Sequence, residues 1–261
     1  MLRLELDAPF AVCRTFTAGW YRPTATFLTP TAVYGLLLNI AGIDSRLREE
    51  DPRHDGKVPA SLTAPGLPAV RIAMGVRASR HATDDEYPRV QTIYQQLHNY
   101  PVGKDAGIDV ALARGSKNNI SPVRREFLSD VRALIYLDAE TGLEDRVRHG
   151  LAGTLAERRY GLPFLGDNQF MLDRLIEINS PPDDQPQAYW YERIDETAES
   201  PHERTTRLTI WIDRADLSRT ASALFAPASK PATVPPPNAW TSINPPAPPP
   251  LAPKSERRHA P

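Results

Sequence analysis

Two strand-like runs, Val70 to Val76 and Phe127 to Leu137, are separated by residues 78–126, far more than the roughly two to five residues that usually join hairpin strands. The flanking segments show what this excursion interrupts. Leu2, Leu4 and Leu6 alternate with Arg3 and Glu5, the period of a half-buried strand. Thr29-Pro30 supplies an N-cap and a proline at the first helical position, and Val33, Leu36, Leu37 and Ile40 follow at helical spacing up to Gly42. Val70, Ile72, Met74 and Val76 alternate again, while Leu143, Val147, Leu151 and Leu155 recur every fourth residue on a second helix. Leu175 to Ile178 and Ala188 to Ile194 compete for the next strand, and Leu208, Ile210 and Ile212 make a last one with Trp211 on its opposite face. Strand, helix, strand, strand, helix, strand is the split βαβ order of a ferredoxin-like α+β domain. The expected division is that domain over 1–178, with the excursion as a functional insertion rather than a turn, followed by a small β-rich C-terminal region at 179–225.

From Ala226 to Pro261, 12 of 36 residues are proline, and apolar side chains are too few to offset the entropy of ordering. A disordered or polyproline-like tail is expected there. The stretch from Asp183 to Glu203 carries seven acids around the run Ala188 to Ile194 and reads as a solvated hairpin rim. The 31 Lys and Arg balance 32 Asp and Glu, which excludes a uniformly basic nucleic-acid coat but not a local basic groove. Cys13 alone can form neither an intrachain disulfide nor a thiolate metal site, as suits a reducing compartment. The first residues alternate apolar and charged side chains, unlike a signal peptide. The longest nearly apolar run, Ala32 to Ile43, contains Asn39 and falls short of the ~20 residues that cross a bilayer. These features predict a soluble, cytoplasmic chain without a membrane partner.

Within the excursion, residues 113–125 carry Arg114, Lys117, Arg124 and Arg125 with no acid, together with Ser116, Asn118, Asn119 and Ser121. Cations beside short amide and hydroxyl donors suit phosphate oxygens and base edges; a solvated loop is the plainer reading. A second acid-free region, residues 8–43, adds Arg14, Arg22, Trp20, Tyr21 and Tyr34. The first strand and the hairpin arm of a split βαβ domain can share one side, so the two regions can form one groove. Tyr21 either stacks on an unpaired base or packs beneath the loop, whereas Trp20 goes to the core. Tyr94, Gln95, Gln96, His98, Asn99 and Tyr100 cluster in the first half of the excursion, where they suit nucleotides or a partner protein.

Signals for catalysis are sparse. The six histidines show no metal-binding helical pair, residues 102–105 lack the leading Gly and the Ser or Thr of a P-loop, and no G-x-S-x-G elbow occurs. No cofactor or metal is expected. A metal-independent ribonuclease needs only a base, an acid and cations, which His98, Tyr94 and Lys117 can supply; no spacing rule marks them.

The runs Ala8-Pro-Phe-Ala11, Gly19-Trp-Tyr-Arg-Pro-Thr24 and Thr29 to Leu37 resemble the opening of the fifth Cas protein family of type I CRISPR systems, and Ser121 to Val131 and Leu162 to Asp167 are similar to its later blocks. The likeness spans about Met1 to Ala226 and is nearest to the type I-B or myxobacterial, DevS-like branch. It implies an RRM-like domain of the RAMP type with a long thumb β-hairpin, which corresponds to residues 78–126. It further implies that the protein caps the 5′ handle of crRNA within Cascade, contacts the backbone subunit and the large subunit, and meets target DNA only through the complex. In the type I-C branch the equivalent protein cleaves precursor crRNA; the present motifs look more like branches in which a separate endonuclease does so, with processing by this chain as the alternative. Neither the first strand nor Phe127 to Leu137 carries the aromatic run of ordinary RRMs, so RNA is expected on loops and thumb. Arg14, Arg22, Lys117, Arg124 and Arg125 are assigned to phosphates, Tyr21, Asn118 and Asn119 to bases or sugars, and Tyr34 and Arg114 to the same surface.

Overall fold

The computed structural model describes residues 1–15, 21–47, 63–64, 66–79, 86–101, 118–159, 161–181, 184–194, 203–214 and 216–245. Strand β1 (Leu2–Ala11) puts Leu2, Leu4 and Leu6 in the core and leaves Arg3, Glu5 and Asp7 half-buried on the other face. β2 (Tyr21–Arg22) is a two-residue strand. Helix α1 (Pro30–Ile40) starts where expected: the Thr29 hydroxyl accepts from the Ala32 N–H at 3.3 Å, and Pro30 occupies the first turn. β3 (Val70–Arg77), β4 (Arg89–Pro101) and β5 (Asn118–Ala139) follow, then helix α2 (Thr141–Ala152), ended by Gly153 in the left-handed conformation. The remaining strands are β6 (Arg174–Glu177), β7 (Ala188–Arg193), β8 (Thr206–Trp211), β9 (Ala221–Pro227) and β10 (Thr241–Ile243).

The sheet runs β6-β1-β5-β3-β7-β9-β8, with β10 on β3 and both β2 and β4 on β5. Its first four strands reproduce the split βαβ order, because the crossovers through α1 and α2 each skip one antiparallel neighbour. The fold is therefore α+β and mostly antiparallel. β5 is 22 residues long and serves two structures. Its C-terminal half pairs with β1 and β3 in the central sheet, and its N-terminal half pairs with β4, from Arg89 opposite Ser129 to His98 opposite Ile120. The long excursion is thus a β-hairpin continuous with the sheet, and β2 runs parallel to β5 on its other edge at Arg124 and Arg125.

Three expectations change. The two candidates for the strand after α2 are both strands: β6 completes the split βαβ unit on β1, and β7 pairs with β3 and β9. The run Ala188 to Ile194 is no solvated rim, since Trp190 and Tyr191 are buried and Tyr191 stacks on Phe27 at 4.3 Å. The tail expected to be disordered from Ala226 is folded over residues 226–245. β9 extends to Pro227, Ala232 bridges Ala188, and β10 pairs Thr241 with Ile72 and Ile243 with Val70. This segment covers the sheet face away from the helices, where Ala73, Leu134, Tyr136, Ile178, Ala188, Trp190 and Ala239 form a second core. The Trp190 indole N–H donates to the Ala232 carbonyl at 2.9 Å and the Tyr136 hydroxyl to that of Thr233 at 2.7 Å. Proline stiffness, which suggested disorder, lowers the entropy lost on docking, and Ala239, Trp240 and Ile243 supply enough apolar contact. Residues 246–261 lie outside the described residues.

Candidate nucleic-acid interface

The base of the hairpin carries Arg124 and Arg125 on adjacent residues of β5, and strand alternation gives it two sides. On one side Arg124 of β5 stands between Tyr94 of β4 and Tyr21 of β2, its register partners on either edge. Its guanidinium carbon lies 5.5 Å from the centre of the Tyr21 ring, a cation–π distance. Tyr94 is 76% exposed and Tyr21 38%. The Tyr21 hydroxyl donates to one Glu126 carboxylate oxygen, and the Thr24 backbone N–H donates to the other at 3.1 Å. That carboxylate fixes β2 to the hairpin. Its hydrogen bond, more than burial or charge, raises the Tyr21 pKa, so the phenol stays protonated and remains a donor.

On the other side lies Arg125, only 5% exposed. Its Nη1 donates to Asp167 at 2.5 Å and to the Gln95 carboxamide oxygen at 3.1 Å, whereas Nε and Nη2 find no acceptor among the described residues. Asp167 is held by a tight turn in which it accepts from the Gln169 N–H at 2.9 Å. Gly166 sits there at φ +76 with the Val12 carbonyl oxygen 1.7 Å from where a Cβ would stand, so no other residue fits. Phe170 props the turn against Phe10 and Phe127, with ring centres 5.8 and 5.7 Å away. Arg14 bridges to Thr24 beside this site. Desolvation lowers its pKa first, then the positive charges of Arg125, Arg22 and Arg214, with Asp167 opposing them. Arg14 thus lies in a field of predominantly positive charge, which favours an added anion.

The structure therefore brings Arg14, Tyr21, Arg22, Arg124 and Arg125 together, with Arg124 and Arg125 on opposite faces of one strand rather than in one loop. Tyr34 does not belong to the surface. It is 3% exposed, its hydroxyl donates to the Pro68 carbonyl at 2.8 Å, and its ring packs toward Trp211. Its position within the apolar stripe of α1 explains this, since a helix that packs on a sheet buries that stripe. Asn118 and Asn119 lie in the first residues of β5, with Asn118 opposite Pro101. Arg114, Lys117 and Trp20 fall outside the described residues. Of the candidate ribonuclease set, Tyr94 is exposed on β4, His98 is in β4 opposite Ile120, and Lys117 again falls outside.

Asp167, Glu126 and Arg214 were not picked out by sequence reasoning, whereas Gln95 belongs to the cluster from Tyr94 to Tyr100 that was. Glu126 ends the acid-free segment, and Asp167 closes the run Leu162 to Asp167, so both were in view; Arg214 carries no local signal. Among the described residues, no three His, Cys, Asp or Glu side chains converge to hold a metal ion, and no helix is long and apolar enough to cross a membrane.

Fold and site together define a split βαβ protein with a cationic, aromatic hairpin. A family model described as CRISPR-associated protein (Cas_Cas5) matches residues 1–155, and the chain belongs to that family. Among solved structures, a chain described as a CRISPR RNA-guided surveillance complex is similar over 89% of this chain and 91% of its own, at 14% identity and a TM-score of 0.49. Another, described as the crystal structure of a Cas protein, is similar over 86% and 92%, at 15% identity and a TM-score of 0.37. No curated protein matches.

Proposed function

We propose that this chain holds the 5′ handle of a crRNA as a subunit of a type I Cascade surveillance complex, of the type I-B or myxobacterial branch, and joins the backbone subunit to the large subunit. The observation that carries the reading is Arg125, a buried guanidinium whose Nε and Nη2 have no acceptor among the described residues, near Arg14. A phosphodiester offers two oxygens in the geometry that a guanidinium fork accepts. On the opposite face, Tyr94 and Tyr21 flank Arg124, and a base stacked there gains about 1–3 kcal/mol. An RNA end crossing the hairpin at Arg124 and Arg125 engages phosphates on one side and bases on the other. Asn118 and Asn119, with Arg114 and Lys117 before them in sequence, extend the same polar segment. Fixing one end of the guide sets where the backbone subunits begin, and target sequence is then read by pairing. Membership of the CRISPR-associated family supports this reading.

In this reading the chain binds and does not cut. Incubation of the purified chain with end-labelled repeat RNA in EDTA tests it. Intact RNA retained by the protein is expected. Site-specific cleavage would assign the endoribonuclease alternative instead, and failure to retain RNA would remove the proposal.

A further inference from the structure

The sheet face away from the helices carries an aromatic group apart from its second core. Phe10 of β1, Phe127 of β5 and Phe170 of the Asp167 turn have ring centres between 5.4 and 5.8 Å apart, and neither core of the described residues contains any of them. Regular strand alternation would not put them there. Ala8 and Ala11 on β1, like Val131 and Leu128 on β5, are three residues apart yet all lie in the helix-side core, and Asp130 between the last two has φ +60. The reversal turns Phe10, and beyond Leu128 also Phe127, to the opposite face. Phe10 is 42% exposed, and Phe127 and Phe170 are half-buried. Three clustered rings, one of them this open, form the kind of apolar patch that marks a binding surface.

What borders the rings names the occupant. Arg125 precedes Phe127 by two residues of β5 and so shares its face, about 6.6 Å along the strand, with Arg14 near Arg125. On the other side, exposed Arg89 of β4, Ser129 of β5 and Phe10 form one cross-strand row. A purely apolar protein contact does not call for this cationic border, whereas a single-stranded nucleic acid matches both parts, with phosphates on the guanidinium groups and a base on the ring. We infer that Phe10, backed by Phe127 and Phe170, is a stacking platform for one nucleobase of the RNA whose phosphate lies at Arg14 and Arg125. Every base has a π-face, so the platform holds the strand rather than reading it. Sheets that bind RNA present aromatic rings from neighbouring strands in this way; here the rings stand at the strand ends where the hairpin begins. The inference rests on the RNA-binding reading above and adds to it a base site on the phosphate side of the hairpin.

The test uses the full-length chain, a fluorescein-labelled oligo(A) octanucleotide, and the variants Phe10→Leu and Phe10→Tyr. Leucine retains apolar contact with Phe127 and Phe170 but offers no flat ring, so the fold is kept and stacking is lost; thermal melts verify the fold. Phe10→Leu is expected to weaken binding about five- to 150-fold, the contribution of one stacked base. The slope of log affinity against log salt should stay as it is, because stacking releases no counterions. Phe10→Tyr, which keeps the ring, should rescue binding to within about twofold. Irradiating the wild-type chain with oligo(U) carrying one 5-iodouridine should give an adduct on the peptide containing Phe10, a readout that needs no variant. Binding by Phe10→Leu within about twofold of wild type, or iodouridine adducts with none on that peptide, overturns the platform and leaves RNA binding intact. Weaker binding with a flattened salt slope also overturns it, since Phe10 then acts only by propping the Asp167 turn that holds Arg125. Unchanged RNA binding with loss of a partner subunit overturns it in favour of a protein contact. A wild-type chain that binds neither oligonucleotide overturns both the platform and the RNA reading.

Discussion

Replacing both members of the buried pair, Arg125→Met with Asp167→Asn, separates binding from folding. Removing Arg125 alone would strand a largely buried carboxylate, since Asp167 is 13% exposed and Arg125 6% at the side chain; breaking such a pair costs about 3–5 kcal/mol. The double change removes both charges. It also removes two buried donors, Nε and Nη2, that lack partners among the described residues, and each unsatisfied donor costs about 1–3 kcal/mol. The lost Asp167 and Gln95 hydrogen bonds offset this gain, so net stability should move by no more than about 2 kcal/mol, or roughly 4–8 °C in Tm for a chain of this size. In the RNA complex those two N–H groups donate to a phosphate, and hydrogen bonds to charged groups contribute about 1.5–3 kcal/mol each. Losing both weakens binding by about 3–6 kcal/mol, on the order of 10²- to 10⁴-fold. Differential scanning fluorimetry and fluorescence anisotropy with labelled handle RNA, across several salt concentrations, measure both quantities. A double variant that melts near the wild type and binds within threefold of it would refute the assignment of Arg125.

Tyr94→Ala should weaken handle RNA binding by about 1–3 kcal/mol, and Tyr94→Phe should not, because the ring and not the hydroxyl stacks; anisotropy on both variants checks this. Deleting residues 228–261 leaves the Trp190 and Tyr136 donors without the Ala232 and Thr233 carbonyls and uncovers the second core. At about 1–3 kcal/mol per stranded donor, thermal melts should fall by many degrees, and an unchanged Tm would show that this segment is dispensable. Burial raises the pKa values of Tyr34 and Tyr191, and that of the Cys13 thiol to about 12. Each group is neutral when folded and ionises more readily when unfolded, so its contribution is complete below its ordinary pKa and is lost as pH rises through the raised one. Stability measured by urea melts should hold from pH 7 to about 8, begin to decline near the ordinary thiol value of about 8.5 through Cys13, and fall further above the ordinary tyrosine value of about 10; a decline starting below pH 8 would contradict this. Iodoacetamide should leave Cys13 unmodified at pH 8 until the chain is unfolded.

The local parts of this fold were legible because local chemistry decides them. Leu2, Leu4 and Leu6 could only make a strand with one buried face, and Thr29-Pro30 could only begin a helix. The order of elements then identified the split βαβ unit and exposed the excursion as an insertion. Misreadings arose where tertiary contact overrode composition. Proline content suggested a free tail, yet Trp240 and Ile243 dock on the sheet. The acids around Ala188 to Ile194 suggested a rim, although Trp190 and Tyr191 belong to the interior. The site was half legible: a run of cations at 114–125 is visible in sequence, whereas the alternation that sends Arg124 and Arg125 to opposite faces appears only once the run is known to be a strand. Arg214 and Asp167 meet Arg14 and Arg125 through sheet topology, which no spacing rule encodes.

The central claim is that the two faces of the hairpin at Arg124 and Arg125 hold the 5′ end of a guide RNA. Site-specific photocrosslinking in the assembled complex, with 4-thiouridine at single handle positions and mass spectrometry of the adducts, tests it most directly. Adducts from the handle to peptides containing Tyr21, Tyr94 or residues 124–125 are predicted. Handle adducts confined to other subunits, with none on these peptides, would contradict it.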